Sequence, residues 1–287
     1  MKRIVALILT LAMVGCVFCG CDRPEPDDRT ASVPETNGVL RISTSPDFAP
    51  MVFVDPTKSG QDQFVGFDIT LAKFIARELN VELEIMPMDF NSCQMAVYAG
   101  TVDMSISGYA WSAEREEKYS LSDKYYAGNS ADSQVIITLE ENAETYSTAE
   151  GMTGALVGAQ NASLQQLLVT EQLPDAELDL FTDLDLAVLM LLNGDFDCIA
   201  VSEGNAEAII ATHENVARSG FQFELDERHM GNVILLNKEN QELTEQVNQI
   251  LEKASEYYEE WYAEAKSTAG IQVTYDGEGN ILSQSEG

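Results

Sequence analysis

TVDMSISGYAWSAEREEKYSLSDKYY, residues 101–126, places an alternating segment, a glycine and a short charged helix end to end. In Thr101–Ile106 β-branched and apolar residues alternate with polar ones, the period of a half-buried strand. Gly108 breaks the pattern where backbone N–H groups can approach a ligand without a Cβ in the way. Ser112 reads as a helix N-cap, its hydroxyl leaving the other first-turn N–H groups free to face an anion. Arg115 then falls in the first turn, where the helix dipole disfavours a cation, so a negative partner is expected. A carboxylate matches the guanidinium fork with two charge-assisted bonds. The competing partner is a neighbouring acid such as Glu114, in a surface pair worth little.

Outward from this stretch, strand and helix patterns alternate. Val39–Thr44 reads as a strand, and Phe67, Leu71, Phe74 and Ile75 form a helical stripe. Val81, Leu83 and Ile85 alternate as a second strand, a succession that predicts an α/β domain. A second set follows: strands at Gln134–Leu139 and Ala155–Ala159, a helix opening near Ser163, a strand at Phe196–Val201 and a helix at Glu203–Thr212. Gly220–Leu225 and Asn232–Leu236 read as strands of a return crossing. Leu243–Ala265 reads as one long helix with Val247, Ile250, Leu251 and Ala254 on one face. Two similar lobes are the natural reading. The tail after Gly270 carries a turn-rich Asp276–Asn280 segment suited to a small hairpin, with no function assigned to it.

The ends differ from this globular body. Met1-Lys2-Arg3 followed by the apolar run Ile4–Phe18 reads as a secretory signal, too short for a comfortable membrane span. Cysteines 16, 19 and 21 end it in a pattern that resembles a bacterial lipobox, with Cys21 favoured as the lipidated residue because everything after it is polar, and Cys16 as the alternative. Asp22–Gly38 is rich in Asp, Pro, Glu, Ser and Thr, the composition of a flexible tether. Cys93 and Cys198 fall in different lobes, so a disulfide between them is not expected and both read as small buried apolar residues. The formal net charge of −32, from Asp+Glu 48 against Lys+Arg 16, disfavours nucleic acid and anionic lipid surfaces. There is no basic patch and no Gly-rich phosphate loop. His213 and His229 are the two histidines and stand apart from any cysteine cluster, which gives a zinc site weak support.

Ser107-Gly108 to Arg115, followed by Leu121-Ser122-Asp123 and Tyr125-Tyr126, resembles the signature of family 3 extracellular solute-binding proteins, the amino-acid receptors of bacterial ABC importers. Further matches run from roughly Val39 to Ala265. Leu40–Phe53 resembles the opening strand and aromatic loop, Val65-Gly66-Phe67-Asp68-Ile69 a helix entry, Met88-Asp89-Phe90 a second aromatic position, and Leu192–Asp197 a later strand entry. The resemblance implies a two-lobed periplasmic-binding-protein-like (Venus-flytrap) α/β fold with two hinge crossings, near Tyr126–Ser130 and His229–Gly231. The expected layout is a lipoprotein signal at 1–21, a tether at 22–38, lobe 1 at 39–126 plus 230–287, and lobe 2 at 127–229.

By the same resemblance Arg115 binds a ligand carboxylate, Phe48 and Phe90 sandwich its side chain, and Gly108 offers backbone contacts. Ala110 stands where a hydroxyl is common, and Trp111 either covers the pocket or packs beneath it. Gln160-Asn161-Ala162-Ser163 corresponds to a strand-to-helix turn whose N–H groups meet the carboxylate, with Ala162 in place of a glycine. Ser202 replaces the aspartate that pairs with an α-ammonium, and Ser45 another acidic position, with Asp47 two residues on. The implied protein is a lipid-anchored monomer on the outer face of the cytoplasmic membrane. It takes an amino acid or related carboxylate to an ABC permease, with no cofactor, metal or nucleic acid. Two alternatives stay open: a dehydratase on the same fold, drawing on Glu203, Asp47 or His229, and a sensor not coupled to transport.

Overall fold

The computed structural model describes residues 38–126, 133–269, 272–275 and 281–285. The signal, the tether, the candidate lipidation cysteines, the first hinge segment after Tyr126 and the Asp276–Asn280 turn lie outside the described residues.

The chain builds two five-stranded sheets of the same design. The first begins with β1 (Val39–Thr44). A small three-stranded antiparallel sheet of β2 (Asp47–Phe48), β3 (Val52–Val54) and β4 (Phe64–Val65) precedes helix α1 (Phe67–Leu79). Then come β5 (Glu82–Pro87), α2 (Phe90–Tyr98), β6 (Met104–Ala110), α3 (Ala113–Lys118) and β7 (Ser120–Leu121). The second sheet takes β8 (Gln134–Leu139), β9 (Leu156–Gln160), α4 (Leu164–Gln172), β10 (Glu177–Phe181), α5 (Leu184–Asn193), β11 (Cys198–Ser202), α6 (Glu203–Thr212) and β12 (Val216–Gln222). The chain returns to the first sheet through β13 (Asn232–Leu236) and closes on it with α7 (Gln241–Ala254) and α8 (Tyr258–Ala269). The tail forms an antiparallel pair, β14 (Gln272–Tyr275) and β15 (Ile281–Ser285).

Strand orders are β5-β1-β6-β13-β7 and β10-β9-β11-β8-β12. In each, the first three strands are parallel and the strand beside them is antiparallel. The chain therefore passes between the sheets twice, and a Tyr125–Asn232 bridge ties the two passages together at the first sheet. In such open sheets ligands sit outside the carboxyl ends of the parallel strands, where the connections diverge.

Both sheets are covered on both faces, which is why their strands carry apolar residues at successive positions. On β13, Ile234 and Leu236 enter the core under α1, α7 and α8, whereas Val233 and Leu235 pack with Phe90 and Cys93 of α2 on the opposite face. On β8, Ile136 packs with Val157 and Leu168 while Val135 and Ile137 pack with Leu184 and Leu191. Phe67 of α1 sits among Tyr125, Tyr258 and Tyr262, with centroids 6.2, 5.5 and 6.2 Å away. Gly66 ahead of α1 has φ 112°, and a Cβ there would overlap the Met51 carbonyl.

Four boundaries depart from the sequence pattern. The strand expected at Thr101–Ile106 starts at Met104 and runs through Gly108, because Asp103 is held at its mouth by the Arg41 N–H (2.7 Å). Gly108, at φ 61°, sits inside a register shift between β6 and β13 and does not end the strand. The strand expected at 220–225 lies earlier, at Val216–Gln222. The long C-terminal helix is two helices, parted by a tighter turn at Ser255–Tyr257. Cys93 and Cys198 are buried free thiols, each pushed up to about 12 by burial.

Candidate functional site

The carboxyl ends of β6, β9 and β11 bring Ala110, Gln160 and Ser202 to one place, a cavity of about 50 Å³ between the two sheets. The loop after β1 adds Phe48, Pro50 and Met51, and the start of α2 adds Phe90. Gly108 and Arg115 complete the first-sheet wall. A cavity of this size holds a water or two.

Arg115 is the charge at this place. Ser112 caps α3 by accepting the Arg115 N–H (3.1 Å), the cap read from the sequence. The side chain turns inward and is 6% exposed. Nε donates to Gln94 Oε1 (3.1 Å), Nη1 to the Ala110 carbonyl (2.6 Å) and Nη2 to the Ala162 carbonyl of the other lobe (2.8 Å). The guanidinium also lies over the Tyr109 and Phe90 rings, 5.2 and 5.7 Å from their centroids. Glu114 pairs instead with Lys118 (2.6 Å). Every hydrogen-bond acceptor recorded for the Arg115 side chain is thus neutral, and burial lowers its pKa. A guanidinium has five N–H donors, so two remain, one on each terminal nitrogen.

The Asn161, Ala162 and Ser163 N–H groups of the turn have partners within the second lobe. Ala162 adopts φ 62°, left-handed for a residue with a Cβ, and this aims its carbonyl at Arg115. Its N–H donates to Gln166 Oε1 (2.8 Å), and the Ser163 N–H to the Gln160 carbonyl (3.2 Å). The Ser163 hydroxyl accepts the Gln166 N–H (3.2 Å). These groups cap α4 in this arrangement, and what Arg115 meets is a carbonyl.

Of the ten residues singled out from sequence, Phe48, Phe90, Gly108, Ala110, Arg115, Gln160 and Ser202 line the cavity. Trp111 and Ser163 border a second, more open hollow of about 650 Å³ on the other side of Arg115. Trp111 lies against His229, the rings tilted by 32° with centroids 6.0 Å apart, and carries the Arg228 guanidinium over its own ring (5.1 Å). Ser45 is buried outside both, its N–H on Ser107 Oγ (3.0 Å) and its hydroxyl donating to Asp47 Oδ1 (2.7 Å). The Phe48 ring lies on Gly108, where any Cβ would overlap it. Lining residues absent from the sequence reading include Gln134, Gln165, Asn232 and Tyr262. Gln134 and Asn232 open the two strands that follow the crossings, so a polar residue at the first position of such a strand was the available signal.

Two carboxylates abut the cavity without facing it. Asp47 Oδ2 accepts Gln160 Nε2 (3.0 Å) and the Leu184 N–H (2.8 Å), both from the second lobe. Burial raises its pKa, against the hydrogen bonds from Ser45 and Leu184. Asp68 is fully buried and accepts the Tyr125 hydroxyl (2.9 Å) and the Gly108 N–H (2.8 Å). Burial pushes its carboxyl up to about 7 in spite of both donors. Its unfolded value is about 4, so between about pH 4 and 7 the folded chain holds a proton that the unfolded chain releases. The stability contribution of Asp68 therefore falls as pH rises through that window. A carbon-detected NMR titration is expected to place the Asp68 midpoint near 7; a midpoint near 4 would refute the assignment. Among the described residues no cluster of His, Cys, Asp and Glu could hold a metal ion.

Two α/β lobes joined by two crossings, with a buried arginine at the strand ends between them, define a periplasmic-binding-protein-like receptor. Residues 40–264 match the profile of bacterial extracellular solute-binding proteins, family 3, and the chain belongs to that family. It is 24% identical over 247 residues to a probable histidine-binding protein of Campylobacter jejuni, covering 83% of this chain and 92% of that one. It is 28% identical over 220 residues to the arginine-binding extracellular protein ArtP of Bacillus subtilis, covering 75% and 80%. Among solved structures it is similar to the amino acid ABC transporter substrate-binding protein AbpA of Streptococcus pneumoniae bound to L-arginine. That match has a TM-score of 0.73 and 26% identity, over 82% of this chain and 97% of that one.

Proposed function

We propose that this protein is an extracytoplasmic receptor, lipid-anchored through Cys21 (or Cys16), that captures a small carboxylate of the amino-acid class and delivers it to an ABC permease. The observation that carries the reading is Arg115: a buried guanidinium at the strand ends, held by three neutral acceptors with two N–H groups left over. A ligand carboxylate supplies the missing negative charge. Phe48 on Gly108 and Phe90 beside Arg115 are the apolar walls for the rest of the ligand. The lobe boundaries proposed with it are 39–126 plus 230–287, and 127–229; the membership of the two sheets supports them. A binding role is favoured over chemistry because, of Asp47, Glu203 and His229, His229 alone lines the cavity, and because the relatives are named as binding proteins.

A thermal-shift panel of amino acids and related carboxylates tests this. A ligand at 100 times its Kd adds about 2.7 kcal/mol, which in a domain of this size raises Tm by about 5–10 °C. At least one α-amino acid or related carboxylate is expected to produce such a shift. A panel with no shift at millimolar ligand would reject the reading.

A further inference from the structure

We infer that the cleft selects against cationic side chains and takes a carboxylate whose far end is a neutral group that both donates and accepts hydrogen bonds, such as an amide or a urea. This rests on the receptor reading above and narrows the ligand of that site.

Arg115 is the one formal charge among the described lining residues; the rest of the polar wall is Gln134, Gln160, Gln165, Ser202, His229, Asn232 and Tyr262. The neighbouring acids face away. Asp47 is taken by Gln160 and Leu184, Asp68 by Gly108 and Tyr125, and Glu203, outside the lining, has Oε1 on Arg218 Nη1 (2.7 Å) and a buried Oε2 with no hydrogen-bond partner. A cationic group at the far end of the ligand's side chain would leave water without meeting a carboxylate among the described lining residues, and a buried charge needs one. It would also approach Arg115, a like charge.

The wall offers a mixed set of groups in place of a counterion. Gln165 Nε2 donates to Gln134 Oε1 (2.6 Å), which leaves the Gln134 –NH₂ and the Gln165 carbonyl. Gln160 Nε2 donates one N–H to Asp47, which leaves its second N–H and the side-chain Oε1. His229 keeps a buried Nδ1 with no hydrogen-bond partner. An amide or urea can answer both kinds of group, whereas a guanidinium, which only donates, would set its N–H groups against the Gln134 –NH₂. Ser202 at the end of β11 carries a neutral hydroxyl, which accepts the Asn205 N–H (3.3 Å) and donates to Asn205 Oδ1 (2.7 Å).

L-arginine and L-citrulline share a length and differ in guanidinium against urea, which makes them a matched pair. Calorimetric titration of both into the wild-type chain is expected to show citrulline binding at least tenfold tighter. Gln165→Glu, which adds a carboxylate to the wall and can accept a hydrogen bond from the Gln134 –NH₂, is expected to move the ratio at least tenfold toward arginine. Arginine binding the wild type as tightly as citrulline would overturn the selectivity and leave the receptor reading standing. If the wild type binds neither, a gain of arginine binding in Gln165→Glu supports the inference and no gain overturns it. Failure of the receptor reading looks different: no carboxylate of any kind stabilises the wild-type chain.

Discussion

Arg115→Lys is expected to weaken binding of a carboxylate ligand by about 10- to 100-fold, the equivalent of one bidentate charge-assisted contact at about 1.5–3 kcal/mol. The reason lies in how the fork is already used. Its Nε, Nη1 and Nη2 reach Gln94 and the carbonyls of Ala110 and Ala162, which fixes the guanidinium plane and leaves one N–H on each terminal nitrogen. An ammonium has three donors at a single point, so it cannot satisfy two carbonyls from different lobes and also grip both oxygens of a carboxylate. Arg115→Met, which removes the charge altogether, is expected to abolish the ligand-dependent Tm shift while circular dichroism shows a retained fold. Calorimetry with the carboxylate that stabilises the wild type most is the measurement. An unchanged Kd in Arg115→Lys would remove Arg115 from the ligand grip.

That prediction was within reach of the sequence because a cap and a periodic strand fix where Arg115 must sit. Ser112 caps α3 as its position implies, and the helix begins at Ala113. The absence of an acidic partner was not visible, since Glu114 and Glu116 flank Arg115 in the chain yet lie on the solvent side of a six-residue helix. The strand ends were legible for a related reason: β8 and α6 follow runs of apolar residues bounded by sharp caps, and both stand where the pattern puts them. Local pattern failed where tertiary contacts decide. The stretch 241–269 has no glycine or proline to announce the break at Ser255–Tyr257, and β10 alternates over five residues with an exposed edge. Helix α5 is apolar on nearly every side and carries no clear period. Gln134, His229, Asn232 and Tyr262 reach the cavity from the two crossings and from α8, more than a hundred residues apart in the chain. Only the folded topology brings them together.

Asp47→Ala is expected to open the lobes and to raise the apparent Kd of any ligand held between them by about 100-fold. Asp47 sits on the first lobe, on the loop that carries Phe48, and its Oδ2 accepts two donors from the second, Gln160 Nε2 and the Leu184 N–H at the start of α5. Leu184 offers a first-turn N–H that its own helix leaves unpaired, at the positive end of the helix dipole. Bonds to a charged group contribute about 1.5–3 kcal/mol each, so losing both removes about 3 kcal/mol from the closed arrangement, close to 100-fold in population. Other bonds across the lobes persist, from Asn205 Nδ2 to the Ala49 carbonyl (2.7 Å), from Arg115 to the Ala162 carbonyl, and from Lys266 to Glu207 (2.6 Å). The variant therefore keeps its fold and changes the balance between open and closed forms. A ligand that needs the closed form binds more weakly by the fraction of closed protein lost. Asp47→Asn retains an oxygen for Gln160 and Leu184 and gives up only the charge, so its effect is expected to be about tenfold, in keeping with neutral bonds being roughly half as strong. Small-angle scattering of the ligand-free proteins should show a larger radius of gyration in the order Asp47→Ala, Asp47→Asn, wild type, with Kd following the same order. Identical scattering and identical Kd in Asp47→Ala would show that the lobes are held by the other contacts alone.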